Sequence, residues 1–88
     1  MPEVRVFGNL RLRCKTDRMT LPGATVRQVV AALCEACPDL SDRVWKAGEL
    51  LPFIRITVNG HDVTLGEGLD TPLAESDSLA IFPPIAGG

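Results

Sequence analysis

The segment TVRQVVAALCEACPDL, residues 25–40, predicts the one long helix of the chain and decides how the rest can fold. Thr25 and Gln28 match a capping box, in which the two side chains satisfy the free backbone N–H groups at a helix start. Pro38 disfavours helical geometry at the residue before it and predicts the helix end. The apolar side chains of the helix recur at helical spacing and form one face: Val26, Val29, Val30, Leu33, Cys34 and Cys37.

Alternating residues before this helix predict a β-hairpin. In EVRVF, residues 3–7, the two valines share one face of a strand, while Arg5 and Phe7 share the other. A turn at Gly8 and Asn9 then predicts a second strand. This strand covers LRLRCKTDRMTL, residues 10–21, with Leu10, Leu12 and Cys14 in phase and a bend or interruption expected at residues 16–18.

The chain after the helix predicts three more strands. Residues 53–58 form a strand whose inward side chains are Ile54, Ile56 and Val58. Asn59–Gly60 is a hairpin turn signal, and it precedes a short return strand in HDVTL. The stretches 41–52 and 66–77 are interpreted as an irregular connection and a loop. SLAIF, residues 78–82, is the last strand, with its leucine and isoleucine inward and Phe82 outward.

This element order predicts an α+β domain over residues 1–82, in which one main helix packs across one face of a mixed sheet of four to five strands. The other sheet face is left to solvent or to a partner. Phe7, Arg55 and Phe82 fall on that face, and we interpret them as a partner-binding surface, because exposed phenylalanines are uncommon. The alternative is that they only cap the sheet edges.

The composition excludes several classes of protein. A chain of 88 residues with 45% hydrophobic and 23% charged residues is typical of one globular domain. Scattered basic residues and a net charge of −2 predict no nucleic-acid partner, and no apolar run is long enough to predict a membrane partner. The N-terminal residues lack the pattern of a signal peptide, so we expect a cytoplasmic location and three reduced cysteines.

The cysteines predict packing rather than chemistry. Cys34 and Cys37 are three residues apart on the apolar helix face, whereas a redox pair with this spacing normally opens a helix. A zinc site would need two further ligands, and the remaining candidates, Cys14 and His61, lie on separate predicted elements. We therefore expect no metal site and no required disulfide.

The ending FPPIAGG, residues 82–88, predicts a flexible tail over residues 83–88. Pro83 and Pro84 have no backbone donors and form a stiff spacer. Ile85 and Ala86 add a small apolar contact. Gly87 and Gly88 have no side chains, so a partner can enclose their backbone and reach the last carboxylate, the reactive group of the tail. The alternative is a frayed terminus.

Residues 53–88, which include the tail, resemble the MoaD/ThiS-type ubiquitin-like sulfur carriers. This family includes the molybdopterin synthase small subunit and the carriers for thiamine and cysteine synthesis. TVRQVVAAL followed by CPDL is also similar to the family's helix and exit loop. One departure is AESDS at residues 74–78, where the family usually has Asp-Gly-Asp, and this changes a turn.

The resemblance implies a β-grasp (ubiquitin-like) fold and a carrier that has no catalytic residue and binds no cofactor. A ubiquitin-activating-type enzyme would use ATP and magnesium to adenylate Gly88. A sulfurtransferase or desulfurase would then supply a persulfide. The resulting thiocarboxylate would donate sulfur to a recipient synthase, for molybdopterin, cysteine, homocysteine or thiamine. Two alternatives remain: a modifier joined through Gly88 to lysines of target proteins, and a plain binding module.

Overall fold

A mixed five-stranded sheet crossed by one long helix forms the centre of the fold in the computed structural model, which describes residues 1–83. In chain order the elements are β1 (Glu3–Val6), a 3₁₀ helix (Gly8–Arg13), β2 (Arg18–Thr20), α1 (Val26–Ala36), a 3₁₀ helix (Pro38–Leu40), α2 (Ser41–Val44), β3 (Trp45–Lys46), β4 (Glu49–Leu50), β5 (Arg55–Val58), β6 (His61–Asp62), a 3₁₀ helix (Gly68–Asp70) and β7 (Ser78–Phe82). This arrangement confirms the predicted fold class and the number of strands in the main sheet.

The first and last strands lie side by side and parallel in the middle of the sheet. The strand order is β2-β1-β7-β5-β6, and every pair except β1–β7 is antiparallel. Glu3 lies opposite Ser78, and Val6 lies opposite Ile81. Because the two strands point the same way, the residues that follow them leave the sheet at the same edge.

Helix α1 begins and ends where the sequence predicts. The Thr25 hydroxyl accepts from the Gln28 backbone N–H at 3.3 Å, and the Gln28 side-chain oxygen accepts from the backbone N–H of Ala24 at 2.7 Å. At the other end, Cys37 caps the helix and donates its backbone N–H to the Leu33 carbonyl, immediately before Pro38. The Thr25 side chain thus satisfies an N–H group that the first helical turn leaves without a partner, and the Gln28 side chain satisfies the N–H group of Ala24 just before the helix.

The core lies between α1 and one face of the sheet. Its members that are at most 1% exposed are Val4, Val6, Val26, Val29, Val30, Leu33, Leu40, Val44, Ile56, Leu79 and Ile81. Each such side chain is stabilised by roughly 1.5–3 kcal/mol relative to an exposed one. On β7 the burial alternates strictly, so Phe82 points to the face away from α1.

The predicted second strand over residues 10–21 is wrong in its first part, and only its last residues pair with β1. Residues Gly8–Arg13 form a 3₁₀ helix, and the partner strand of β1 is Arg18–Thr20. The two leucines that alternate in the sequence do not share a face, because Leu10 is buried in the core while Leu12 is 86% exposed. The short alternating run therefore forms a helical turn, in which only one of the two leucines packs inward.

The expectation of three reduced cysteines is also contradicted. Cys14 and Cys37 are joined by a disulfide, with their Cα atoms 5.2 Å apart, and Cys34 is the free thiol. The sequence analysis missed the pair because it placed Cys14 on a strand, whereas the 3₁₀ helix brings Cys14 to the end of α1. Cys37 is buried and half-buried Cys34 packs against the core, as predicted for that face of the helix.

The hairpin between β5 and β6 forms as predicted and is braced by an acidic side chain. Asn59 and Gly60 both have positive φ values, 52° and 85°, as the tight turn requires. The Asn59 amide donates to the Asp77 carboxylate at 2.9 Å, and its oxygen accepts from the backbone N–H of Ser78 at 2.9 Å. The second Asp77 oxygen accepts from the backbone N–H of Ala74 at 2.8 Å.

The connection between α1 and β5 is more regular than the sequence indicates. It contains the four-residue helix α2 and the short antiparallel pair β3–β4, whose Trp45 packs against the core. The Gly48 carbonyl in this hairpin accepts from the Arg27 side chain of α1 at 2.9 Å. Within residues 1–83, no helix is long and apolar enough to cross a membrane.

The Cys14–Cys37 bond predicts a redox-dependent stability. We expect reduction, or the Cys14→Ser substitution, to lower the free energy of unfolding by about 3 kcal/mol, because a cross-link over such a loop restricts the unfolded chain. The loop spans a separation of 23 residues. Denaturant unfolding with and without reductant measures the difference, and Cys34→Ser is the matched control. Three titratable thiols in the unfolded, unreduced chain would contradict the bond.

The hydrogen bonds to Asp77 predict a pH-dependent stability. The backbone N–H of Ala74, followed by the Asn59 amide, holds the pKa of Asp77 below its ordinary value of 3.8. The stabilisation is therefore complete above that value and is lost as the pH falls below it towards the lowered pKa of the folded state. We expect Asp77→Asn to be less stable than wild type at neutral pH, with the difference shrinking in acid. Asp39→Asn, at an exposed position, is the control, and a pH-independent difference for Asp77→Asn would contradict this account.

A candidate partner-binding site at the root of the tail

Two phenylalanines, one directly after the first strand and one at the end of the last strand, stack on the sheet face away from α1. The Phe7 and Phe82 rings have centroids 4.6 Å apart and are inclined by 11°. The Phe7 backbone N–H donates to the Ile81 carbonyl at 3.1 Å, which extends the parallel β1–β7 pairing by one residue. Both rings are half-buried, so an apolar surface remains open to a partner.

Arg55 lies directly opposite Phe82 in the β5–β7 pair, and its side chain is exposed. One guanidinium nitrogen is 3.9 Å from the Asp62 carboxylate. That carboxylate accepts from the backbone N–H of Thr64 at 2.8 Å, and this hydrogen bond lowers the pKa of Asp62 more than Arg55 does. A long, exposed ion pair contributes little. Arg55 is therefore available to a partner beside the stacked rings.

The structure thus brings the three predicted surface residues, Phe7, Arg55 and Phe82, together on one face, and we call them the aromatic surface. Their binding role stays a prediction. The sequence analysis missed a fourth residue, Arg5, whose guanidinium carbon lies 5.8 Å from the Phe7 ring centroid. The signal was available, since residues 5 and 7 of a strand face the same way.

Gly8 gives Pro83 room to leave the sheet beside the aromatic surface. Gly8 has a φ of +63°, and a Cβ atom there would lie 2.5 Å from the Pro83 Cγ atom and 2.9 Å from its Cδ atom. A side chain at position 8 would therefore both strain the backbone and displace the proline. Gly8, predicted only as a turn residue, fixes the place where the tail begins.

The remaining residues predicted for tail recognition and adenylation lie outside the described residues. They are Pro84, Ile85, Ala86, Gly87 and Gly88. Their roles stay predictions, and so does the flexibility assigned to residues 83–88.

A groove of about 580 Å³ adjoins Pro83 on the side of the 3₁₀ helix Gly8–Arg13. One wall comes from that helix, and the facing wall comes from residues 39–43 and 51–54. The Cys14–Cys37 bond ties together the segments from which the two walls arise. The groove is lined by Leu10, Leu51 and Ile54 and by side chains of both charges, which suits a protein surface better than one small ligand.

The cysteine and histidine side chains do not form a reactive centre here. Burial raises the pKa of the Cys34 thiol, and the hydrogen bond with Ser41 only partly opposes this effect. His61 is exposed in β6. Among residues 1–83, no three Cys, His, Asp or Glu side chains are grouped to hold a metal ion. The site therefore offers binding groups: a ring stack, arginines and a groove.

The chain is similar to small proteins that are named sulfur carriers or modifiers. A model of the ThiS family matches residues 4–88. A putative sulfur carrier protein of Archaeoglobus fulgidus is 43% identical over 65 residues, which cover 73% of this chain and 74% of that protein. Small archaeal modifier protein 1 of Haloferax volcanii is 41% identical over 76 residues, covering 84% of this chain and 83% of that protein.

The fold agrees with these relatives. A chain in the crystal structure of the Amycolatopsis orientalis BexX/CysO complex superposes with a TM-score of 0.89 at 28% identity, covering 100% of both chains. This likeness confirms the predicted β-grasp, ubiquitin-like fold. Since the family model matches almost the whole sequence, including the tail, the chain belongs to the ThiS family, as its resemblance to the ubiquitin-like sulfur carriers predicted.

Proposed function

We propose that this chain is a sulfur carrier whose Gly88 carboxylate is adenylated and then converted to a thiocarboxylate. The observation that carries the proposal is that Pro83 leaves the sheet against Gly8, beside the aromatic surface. An enzyme that receives the tail must contact this surface. The family match, which continues to residue 88, supports the same assignment.

The chemistry acts on the tail, and the partner enzymes catalyse it. The Gly88 carboxylate attacks the α-phosphorus of ATP, and pyrophosphate leaves, so that a poor electrophile becomes an acyl-adenylate. A persulfide of the sulfur donor attacks the acyl carbon and releases AMP, which gives an acyl disulfide. A second thiol of the donor then reduces the S–S bond, leaving the thiocarboxylate on Gly88 and a disulfide on the donor.

The recipient of the sulfur is a synthase for molybdopterin, cysteine or homocysteine. Support for the cysteine type comes from the carriers named CysO in Mycobacterium tuberculosis, which are 36% identical over 69 residues. A further CysO occurs in a complex with BexX from Amycolatopsis orientalis, which supports assembly of a protein of this fold with another protein.

A second candidate function is protein modification through Gly88. It is favoured by the relatives named small archaeal modifier proteins 1 and 3 of Haloferax volcanii. Both candidates need the same adenylation of Gly88. They differ in the product, which is a thiocarboxylate for a carrier and an amide bond to a target lysine for a modifier.

Deletion of Gly88 tests the proposed function. We expect the truncated chain to release no pyrophosphate when it is incubated with the adenylating enzyme and ATP, because the shortened tail no longer reaches the reactive centre. The control is the circular dichroism of the truncated chain, which we expect to equal that of wild type. Adenylation of the truncated chain at the normal rate would contradict the proposal.

Substitution of Gly8 tests the placement of the tail. We expect Gly8→Ala to lower kcat/KM of adenylation by roughly tenfold, since a displaced tail misplaces the reacting group. Gly60→Ala is the matched control, because Gly60 also has a positive φ, +85°, but nothing lies within 4 Å of its would-be Cβ. Both changes carry about 1–2 kcal/mol of backbone strain. Equal activity of the two variants would contradict a role for Gly8 in placing the tail.

Substitutions in the aromatic surface test whether it binds the partner. We expect Phe7→Ala and Arg55→Ala to weaken the affinity for the adenylating enzyme by about 2 kcal/mol each, roughly 30-fold in Kd. Phe53→Ala is the control, because Phe53 is 72% exposed but lies outside the stack. Affinity is compared with melting temperature for each variant. If Phe7→Ala binds normally, the surface has another role.

A further inference from the structure

A second, smaller pocket lies beside the Phe7 ring, on the side away from Arg55. It has a volume of about 240 Å³ and includes the backbone at Gly8. Its charged lining consists of three arginines and one aspartate: Arg5, Arg11, Arg18 and Asp17. The side chains of this pocket therefore carry an excess of positive charge, although the whole chain has a net charge of −2.

Arg5 is the arginine of this pocket whose charge is not matched within the fold. The Arg11 Nη1 atom is 3.8 Å from the Asp17 Oδ2 atom, and the Arg18 Nε atom is 3.5 Å from the Glu3 Oε2 atom. None of the ion pairs within residues 1–83 involves Arg5. Its guanidinium instead lies near the Phe7 ring, which contacts the cation but leaves its hydrogen-bond donors available.

The position of Arg5 in the sheet is unfavourable for the free protein. Arg5 lies directly opposite Arg18 in the antiparallel β1–β2 pair and opposite Ala80 in the β1–β7 pair. Like charges directly opposite each other across two strands destabilise a sheet. A neutral polar residue at position 5 would therefore suit the isolated domain at least as well. A carboxylate from outside would both pair with Arg5 and reduce the repulsion.

We infer that Arg5 binds a carboxylate side chain of the adenylating enzyme, and that the Phe7 ring orients the guanidinium for this contact. The inference rests on the proposed function, because it adds a charged contact to the surface that receives the tail. Two observations favour an acidic protein surface over a small anion. Arg5 is exposed, and the pocket is continuous with the aromatic surface through Phe7.

The test compares variants at Arg5 with a charge-matched control. We measure Kd for the ubiquitin-activating-type enzyme of the same organism by calorimetry, using wild type, Arg5→Gln, Arg5→Glu, Arg5→Lys and Lys46→Glu. Lys46→Glu changes the net charge by as much as Arg5→Glu does. Lys46, however, lies in the β3–β4 hairpin, where the Gly48 carbonyl accepts from the Arg27 side chain of α1. We expect Kd to rise roughly tenfold for Arg5→Gln and further for Arg5→Glu, with little change for Lys46→Glu.

Salt dependence separates a carboxylate contact from a structural role of Arg5. We expect wild-type affinity to fall between about 50 and about 500 mM salt, and the fall to be smaller for Arg5→Gln. Arg5→Lys keeps the charge, so it should retain the salt dependence and recover part of the affinity. We also expect Arg5→Gln to melt no lower than wild type, because it removes the repulsion with Arg18.

Several results would overturn the inference. If Arg5→Gln and wild type lose affinity equally with salt, Arg5 acts only by supporting Phe7. If inorganic phosphate binds the free chain and Arg5→Gln abolishes that binding, the pocket holds a small anion. If all Arg5 variants bind normally to an enzyme that adenylates wild type, this inference is wrong and the proposed function stands. If wild type itself is neither bound nor adenylated, the proposed function falls, and this inference falls with it.

Discussion

The parallel pairing of β1 with β7 is the constraint on which the rest of the structure depends. Two strands that point the same way end at the same edge of a sheet, so Phe7 meets Phe82 and Gly8 meets Pro83. An antiparallel arrangement would place the end of β1 beside the start of β7, far from the tail. The ring stack and the point where the tail begins both depend on this pairing.

The two faces of the sheet divide stability and binding between them. The face covered by α1 holds the buried core and accounts for most of the folding free energy. The other face keeps half-buried rings and exposed arginines that contribute little to the free protein. Arg5 is an unfavourable choice for stability alone, since it faces a like charge across the β1–β2 pair. This choice is explained if this edge of the sheet must contact a partner.

Local patterns in the sequence predicted the elements whose structure is set locally. The capping residues fixed the start of α1, Asn59–Gly60 fixed the turn, and strict alternation fixed the inward face of β7. The prediction for residues 8–14 was wrong, because alternation over so few residues does not distinguish a strand from a 3₁₀ turn. The Cys14–Cys37 bond was then missed as a consequence.

The site was predicted less completely than the fold. The phase of the strands predicted the shared face of Phe7, Arg55 and Phe82, but the contact between Gly8 and Pro83 joins two distant parts of the chain. The unmatched charge of Arg5 depends on which residues lie beside β1, and the predicted second strand began at residue 10 instead of residue 18. The pattern of the tail identified the Gly88 carboxylate as its reactive group, whereas the proposed adenylation and sulfur transfer came from the family resemblance.

The most direct test of the carrier function is the intact mass of the chain after incubation with the adenylating enzyme, ATP, magnesium and a persulfide donor. The account predicts a mass gain equal to the replacement of one oxygen by sulfur, which fragmentation locates at Gly88. It also predicts that the gain disappears when ATP is omitted. Consumption of ATP with no sulfur on Gly88, and with Gly88 instead bonded to lysines of other proteins, would contradict a carrier and establish a modifier.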